Sequence, residues 1–177
     1  MELYYHNTRH FQMEEMQDKT KLDLNGRKLS ADDVSAIGKA LTTNKTLKTL
    51  DLPNTNITDV QSIGNALKTN NTLEILDLSD NNITDVSSIG EALTTNKTLT
   101  KLWLGENNIT DVQSIGKGLK SNNTLTYLSL WDNHITDVAS IGDALKTNKT
   151  LTYLSLHYND INDWRIQGII DGLKTKK

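Results

Sequence analysis

The sequence offers few groups able to make or break bonds. None of its 177 residues is cysteine, so a thiol nucleophile, a thiolate metal site and a disulfide framework are excluded. His6 and His10 stand four residues apart and could share a helix face as metal ligands do, but no third ligand accompanies them. His134 and His157 have no serine nucleophile beside them by spacing. Asp80 and Glu106 could divide acid and base roles only if their surroundings separated their pKa values, and an open, solvated face gives no cause for that. No catalytic, cofactor-binding or metal residues are assigned. Trp103, Tyr127, Trp131, Tyr153 and Tyr158, with His157 among them, are of another kind: large amphipathic side chains that hold a partner rather than react with it.

A repeat positions these side chains. Segments beginning at Leu47, Leu73, Leu99, Leu125 and Leu151 are spaced by 26 residues, and each opens L-x-x-L-x-L. In one copy Leu73, Leu76 and Leu78 are followed by Asn81, Ile83, Val86, Ile89 and Leu93, and the same types return as Leu99, Leu102, Leu104, Asn107, Ile109, Val112, Ile115 and Leu119. The first half of each unit alternates apolar and polar residues as a half-buried strand does, and the second half shifts to helical spacing. Thr84 or Asp85 can cap the helix start, and threonine with glutamine three residues on, at Thr58 and Gln61 or Thr110 and Gln113, predicts capping boxes. Asn44, Asn70, Asn96, Asn122 and Asn148 fall where a left-handed helix stop is expected. Asn81, Asn107, Asn133 and Asn159 point inward and predict a hydrogen-bonded ladder, broken at the N-terminal end by Thr55 and Arg27. An earlier, weaker copy starts near Lys21, and both end copies are lengthened, as capping units are.

The pattern L-x-x-L-x-L-x-x-N-x-I followed by a helical stretch resembles the leucine-rich repeat, in its ribonuclease-inhibitor-like subtype, over roughly residues 21 to 173. The expected fold is an α/β solenoid, a curved horseshoe of about six strand-turn-helix units. Parallel strands stack about 4.8 Å apart while packed helices need about 8–10 Å, so the sheet takes the concave side and the helices the convex side. Residues 1–20 are expected to form an N-terminal helical cap, in which Tyr4, Tyr5, Phe11, Met13 and Met16 seal the first unit, and residues 21–177 the solenoid with its C-terminal capping repeat. The resemblance implies a protein-interaction module, with inhibition or regulation of an enzyme as one use and a translocated bacterial effector as another.

Comparing the units within the chain locates the variable surface. The helical motif SIG recurs at 62, 88, 114 and 140, whereas the outward strand columns change most, running Lys21, Thr49, Ile75, Lys101, Tyr127, Tyr153 and Asp23, Asp51, Asp77, Trp103, Ser129, Ser155. Two further columns hold Trp131 and His157, and Asp80, Glu106, Asp132 and Tyr158. The predicted partner-binding set is therefore Trp103, Tyr127, Trp131, Tyr153, His157 and Tyr158, with Asp51, Asp77, Asp80, Glu106 and Asp132 alongside. The structural reading of the same residues is cross-strand stabilisation of the sheet by the rings and a solvated face for the carboxylates.

Bulk composition bounds the partner. The apolar fraction of 36% is below the roughly 45–50% of a compact globule, as a thin elongated core requires. A net charge of -3 gives no electrostatic cause to expect nucleic acid or an anionic membrane. With no cysteine, no signal peptide and no apolar run of about 18 residues, a monomer in the cytoplasm that binds another protein on its concave face is expected. A self-assembling structural solenoid and a glycan-stacking aromatic patch are the alternatives. The N-x-[ST] sequons copy with the repeat and are read as its by-products.

Overall fold

The computed structural model describes residues 10–162 together with Ile166 and Ile169. Six three-residue strands form one parallel sheet in chain order: β1 (Lys21–Asp23), β2 (Thr49–Asp51), β3 (Ile75–Asp77), β4 (Lys101–Trp103), β5 (Tyr127–Ser129) and β6 (Tyr153–Ser155). Register is fixed by the central leucines, with Leu22, Leu50, Leu76, Leu102, Leu128 and Leu154 paired in succession. Those leucines face the core, and their neighbours on either side face out; slipping one residue would reverse both sets. Among the described residues five helices return the chain behind the sheet: α1 (Ala31–Thr43), α2 (Gln61–Leu67), α3 (Ser87–Thr95), α4 (Gln113–Ser121) and α5 (Ala139–Leu145). The result is the expected horseshoe, with leucine, isoleucine and valine filling the space between sheet and helices.

Two asparagine ladders tie the units together. In the first, the Nδ2 groups of Asn81, Asn107, Asn133 and Asn159 donate to the carbonyls of Leu52, Leu78, Leu104 and Leu130 one unit back, at 2.8–3.0 Å. Their Oδ1 atoms accept from the amides of Ile57, Ile83, Ile109 and Ile135. Thr55 continues this ladder by its hydroxyl, which lies against both Leu52 O and Asn81 Oδ1. Arg27 ends it and instead binds Glu15 of the N-terminal segment.

The second ladder corrects the expected left-handed helix stops. Asn44, Asn96 and Asn122 have extended backbone, φ between -65° and -73°. Their side chains instead cap the helix of the preceding unit: Nδ2 of Asn70, Asn96, Asn122 and Asn148 donates to the Leu41, Leu67, Leu93 and Leu119 carbonyls, while Oδ1 accepts from the next leucine amide. The expected threonine–glutamine capping boxes do not form at α2 and α4, and of Thr84 and Asp85 it is the aspartate that meets the helix start. Asp59, Asp85, Asp111 and Asp137 accept from the second residue on, at 2.7–2.9 Å.

Of the expected cap, residues 1–9, with Tyr4, Tyr5 and His6, lie outside the described residues, as does the last unit beyond residue 162 apart from Ile166 and Ile169. Residues 10–20 hold one 3-10 turn, Met13–Met16. Phe11 and Met16 seal the first unit, whereas Met13 is 48% exposed and takes no part. The seal is locked by the Phe11 amide, which donates to Asp33 at 2.6 Å. Among the described residues no helix is long and apolar enough to cross a membrane.

Candidate functional site

The six expected ring positions come together on the concave side of β4, β5 and β6 and the turns after them. They form two columns that run across the strands. In one, Trp103 tilts against Tyr127 at 4.8 Å between ring centroids, and Tyr127 stacks on Tyr153 at 4.2 Å with 3° between planes. In the other, Trp131 stacks on His157 at 5.7 Å, and Tyr158 meets His157 edge-on at 5.2 Å. Gly105 is what lets Trp131 lie there, because any Cβ at that position would collide with the indole. Trp103, Tyr127 and Trp131 are half-buried by this mutual packing, while Tyr153 is 46% and Tyr158 75% exposed. The rings thus support one another across the sheet and still reach solvent, with the freest faces at the C-terminal edge. Burial pushes the Tyr127 phenol up, and the Tyr153 hydroxyl beside it adds to that.

The expected acidic set divides in two. Asp51 is paired with Lys21 at 2.7 Å, and Asp77 accepts from both the amide and the hydroxyl of Ser79 at 2.9 and 2.6 Å. Their charges are used inside the chain. Asp80, Glu106 and Asp132 are exposed, stand in register on successive turns, and have no cationic partner among the described residues. All three have positive φ, 52°, 52° and 50°, in a row that continues from Asn54 and ends at Tyr158 with φ 55°. For glutamate and tyrosine this backbone is unusual and costs on the order of 1 kcal/mol. The Glu106 carboxyl titrates above the usual carboxylate range, because of partial burial first and then the charges of Asp80 and Asp132.

Some residues differ from the sequence reading. Ser129 and Ser155, in an outward column, are buried beneath the rings at 2% and 5% exposure. The Ser155 hydroxyl lies 2.7 Å from Nδ1 of His157, a serine–histidine contact that spacing did not suggest. With Ser155 buried and His157 exposed, the bond orients the imidazole on the sheet surface. His10 lies 3.4 Å from Asp33, and among the described residues no group of three histidine, cysteine, aspartate or glutamate side chains is placed to hold a metal. Gly105 and the row of positive φ are the parts of the surface that sequence reasoning missed. Glycine in a variable column was a signal for the first; Gly26, Asn54, Asp80 and Asp132 in one column were a signal for the second, which Glu106 and Tyr158 obscured.

Comparison with known proteins places the architecture. The family model described as Leucine Rich repeat matches residues 43–60, 69–87, 95–112, 121–139 and 147–163. Among solved structures, leiomodin-1 actin-binding site 2 is similar with a TM-score of 0.57 and 23% identity, over 93% of this chain and 84% of that one. Internalin C2 from Listeria monocytogenes is similar with a TM-score of 0.57 and 29% identity, over 81% of this chain and 54% of that one. This chain therefore spans about half the length of that internalin. A search of curated proteins finds no match.

Proposed function

The chain belongs to the leucine-rich repeat family, and from that premise we propose that it is a binding module whose partner is another protein, held on the C-terminal half of the concave face. The observation that carries this reading is the pair of ring columns: Trp103, Tyr127, Trp131, Tyr153, His157 and Tyr158 lie side by side on the sheet and reach solvent. Preorganised rings lose little freedom on binding and supply the large contact areas on which interfaces depend. Six strands at about 4.8 Å give a face roughly 25–30 Å across, enough for about 800 Å² per partner. Asp80, Glu106 and Asp132 flank the rings and steer the approach.

On this reading the protein acts by occupying its partner, as a monomer in the cytoplasm, and not by catalysis. A helix in every complete unit supports the ribonuclease-inhibitor-like subtype, and with it a role in blocking or regulating an enzyme. A glycan, which stacks on open ring faces, finds most of those faces already taken by neighbouring rings. The test is capture from the native host by wild type and by Trp103→Ala/Trp131→Ala, with circular dichroism of both. Loss of capture with unchanged helical signal is expected; undiminished capture by the variant would remove the concave face from the reading.

A further inference from the structure

The ring columns end beside an apolar groove of about 590 Å³, lined by Tyr153, Leu154, Leu156, Tyr158 and Ile161. Leu154, Leu156 and Ile161 belong to core columns, yet here they are only half-buried. Their counterparts one unit back, Leu128, Leu130 and Ile135, are wholly covered. The groove thus presents the kind of surface that every internal unit hides. Tyr158 forms part of its wall and also closes the row of positive φ that contains Asp80, Glu106 and Asp132. The turns of Asp132 and Tyr158 are joined directly, through Asp132 N to His157 O at 3.0 Å and Asn133 N to Tyr158 O at 3.2 Å. Strand spacing therefore sets Asp132 about 5 Å and Glu106 about 10 Å from the groove wall.

We propose that this edge is the docking site of a protein segment that carries an apolar residue followed by lysine or arginine. The proposal rests on the concave-face reading above and names its partner class. The apolar side chain fills the groove, one cation lies over the open face of Tyr158, and the next meets Asp132 and Glu106. Charge complementarity selects this occupant. A neutral segment would leave three adjacent like charges uncompensated, an acidic one would add to them, and a basic one discharges them while gaining the ring face. An extended chain advances about 3.3 Å per residue, so the basic residues fall within about three positions of the apolar one.

The test uses the full chain and a fluorescein-labelled decapeptide of alternating leucine and lysine, followed by anisotropy beside leucine–glutamate and serine–lysine decapeptides. Binding of the leucine–lysine peptide alone is expected. Asp132→Asn/Glu106→Gln, which relieves repulsion and so leaves the fold intact, should weaken it about tenfold and flatten its salt dependence. Tyr158→Ala should weaken it several-fold without altering circular dichroism. Equal binding of the leucine–lysine and leucine–glutamate peptides, or wild-type affinity in the carboxylate variant, would overturn the proposal. So would concentration-dependent self-association that Tyr158→Ala abolishes, which would assign the groove to a second copy of the chain. Failure here with loss of capture in the tryptophan variant removes only the basic segment. Peptide preference with intact capture removes only the wider concave-face reading.

Discussion

The N-terminal and C-terminal halves of the sheet share one backbone and use it in opposite ways. On β1 to β3 the charges close on one another, Lys21 with Asp51, Lys48 with Glu74 and Asp77 with the Ser79 turn. On β4 to β6 the same columns carry rings, and beside them the carboxylates of the turns after β3, β4 and β5 find no cation among the described residues. The first arrangement spends its interactions within the fold. The second stacks its rings into shape and leaves charge and apolar surface outward. Because the leucines and asparagines beneath are nearly identical, the difference lies in the outward side chains and not in the scaffold.

Substitutions can break that separation. The largest effect is expected for Asn107→Ala. It strips hydrogen bonds from the carbonyls of Leu78 and Leu104 and from the Ile83 amide, all buried. The Leu78 and Leu104 carbonyls keep bonds from Asn81 and Asn133, whereas the Ile83 amide is orphaned at about 1–3 kcal/mol and each lost acceptor bond adds about 1 kcal/mol, so urea denaturation should show a loss of about 3 kcal/mol. Gly105→Ala comes next, since it belongs to both scaffold and surface. A methyl group there must displace the Trp131 indole, at a cost of about 1–3 kcal/mol, with a red shift of tryptophan fluorescence. A stability equal to wild type with unshifted emission would show that the indole does not rest on this glycine.

The smallest effect concerns the N-terminal seal. Burial pushes the Asp33 carboxyl up, but hydrogen bonds from Ser30 and Phe11, with His10 nearby, outweigh it and hold the group below its ordinary value. A depressed folded pKa means that its contribution is complete above the unfolded pKa and is lost as pH falls through the folded one. Acid should therefore loosen the Phe11 seal below about pH 4, and Asp33→Asn should flatten that limb of the pH–stability curve. An acid limb unchanged in the variant would assign the sensitivity to other carboxylates.

Much of this was legible in the sequence, for stated reasons. A strict 26-residue period fixes strand, helix and inward column together, and the inward asparagines announce their ladder because a buried amide must be bonded. The helix-end asparagines were misread because asparagine suits left-handed backbone in general, while here its side chain reaches the preceding unit. The true positive-φ row includes Glu106 and Tyr158, whose residue types give no hint of it. Support of one ring by the next across the strands was the structural reading of these columns and is what the rings show, but which way each ring turns was not legible, since a column in sequence says only which side a residue faces. The groove at β6 required knowing that Leu154 and Leu156 are left partly uncovered.

The central claim, that the partner rests on the ring columns, is tested most directly by the indole N–H resonances of the chain's three tryptophans in complex with a partner captured from the host. The account predicts that the Trp103 and Trp131 signals move on binding while amides along α3 and α4 stay in place. Shifts confined to those helices, with both indole signals unmoved, would contradict it.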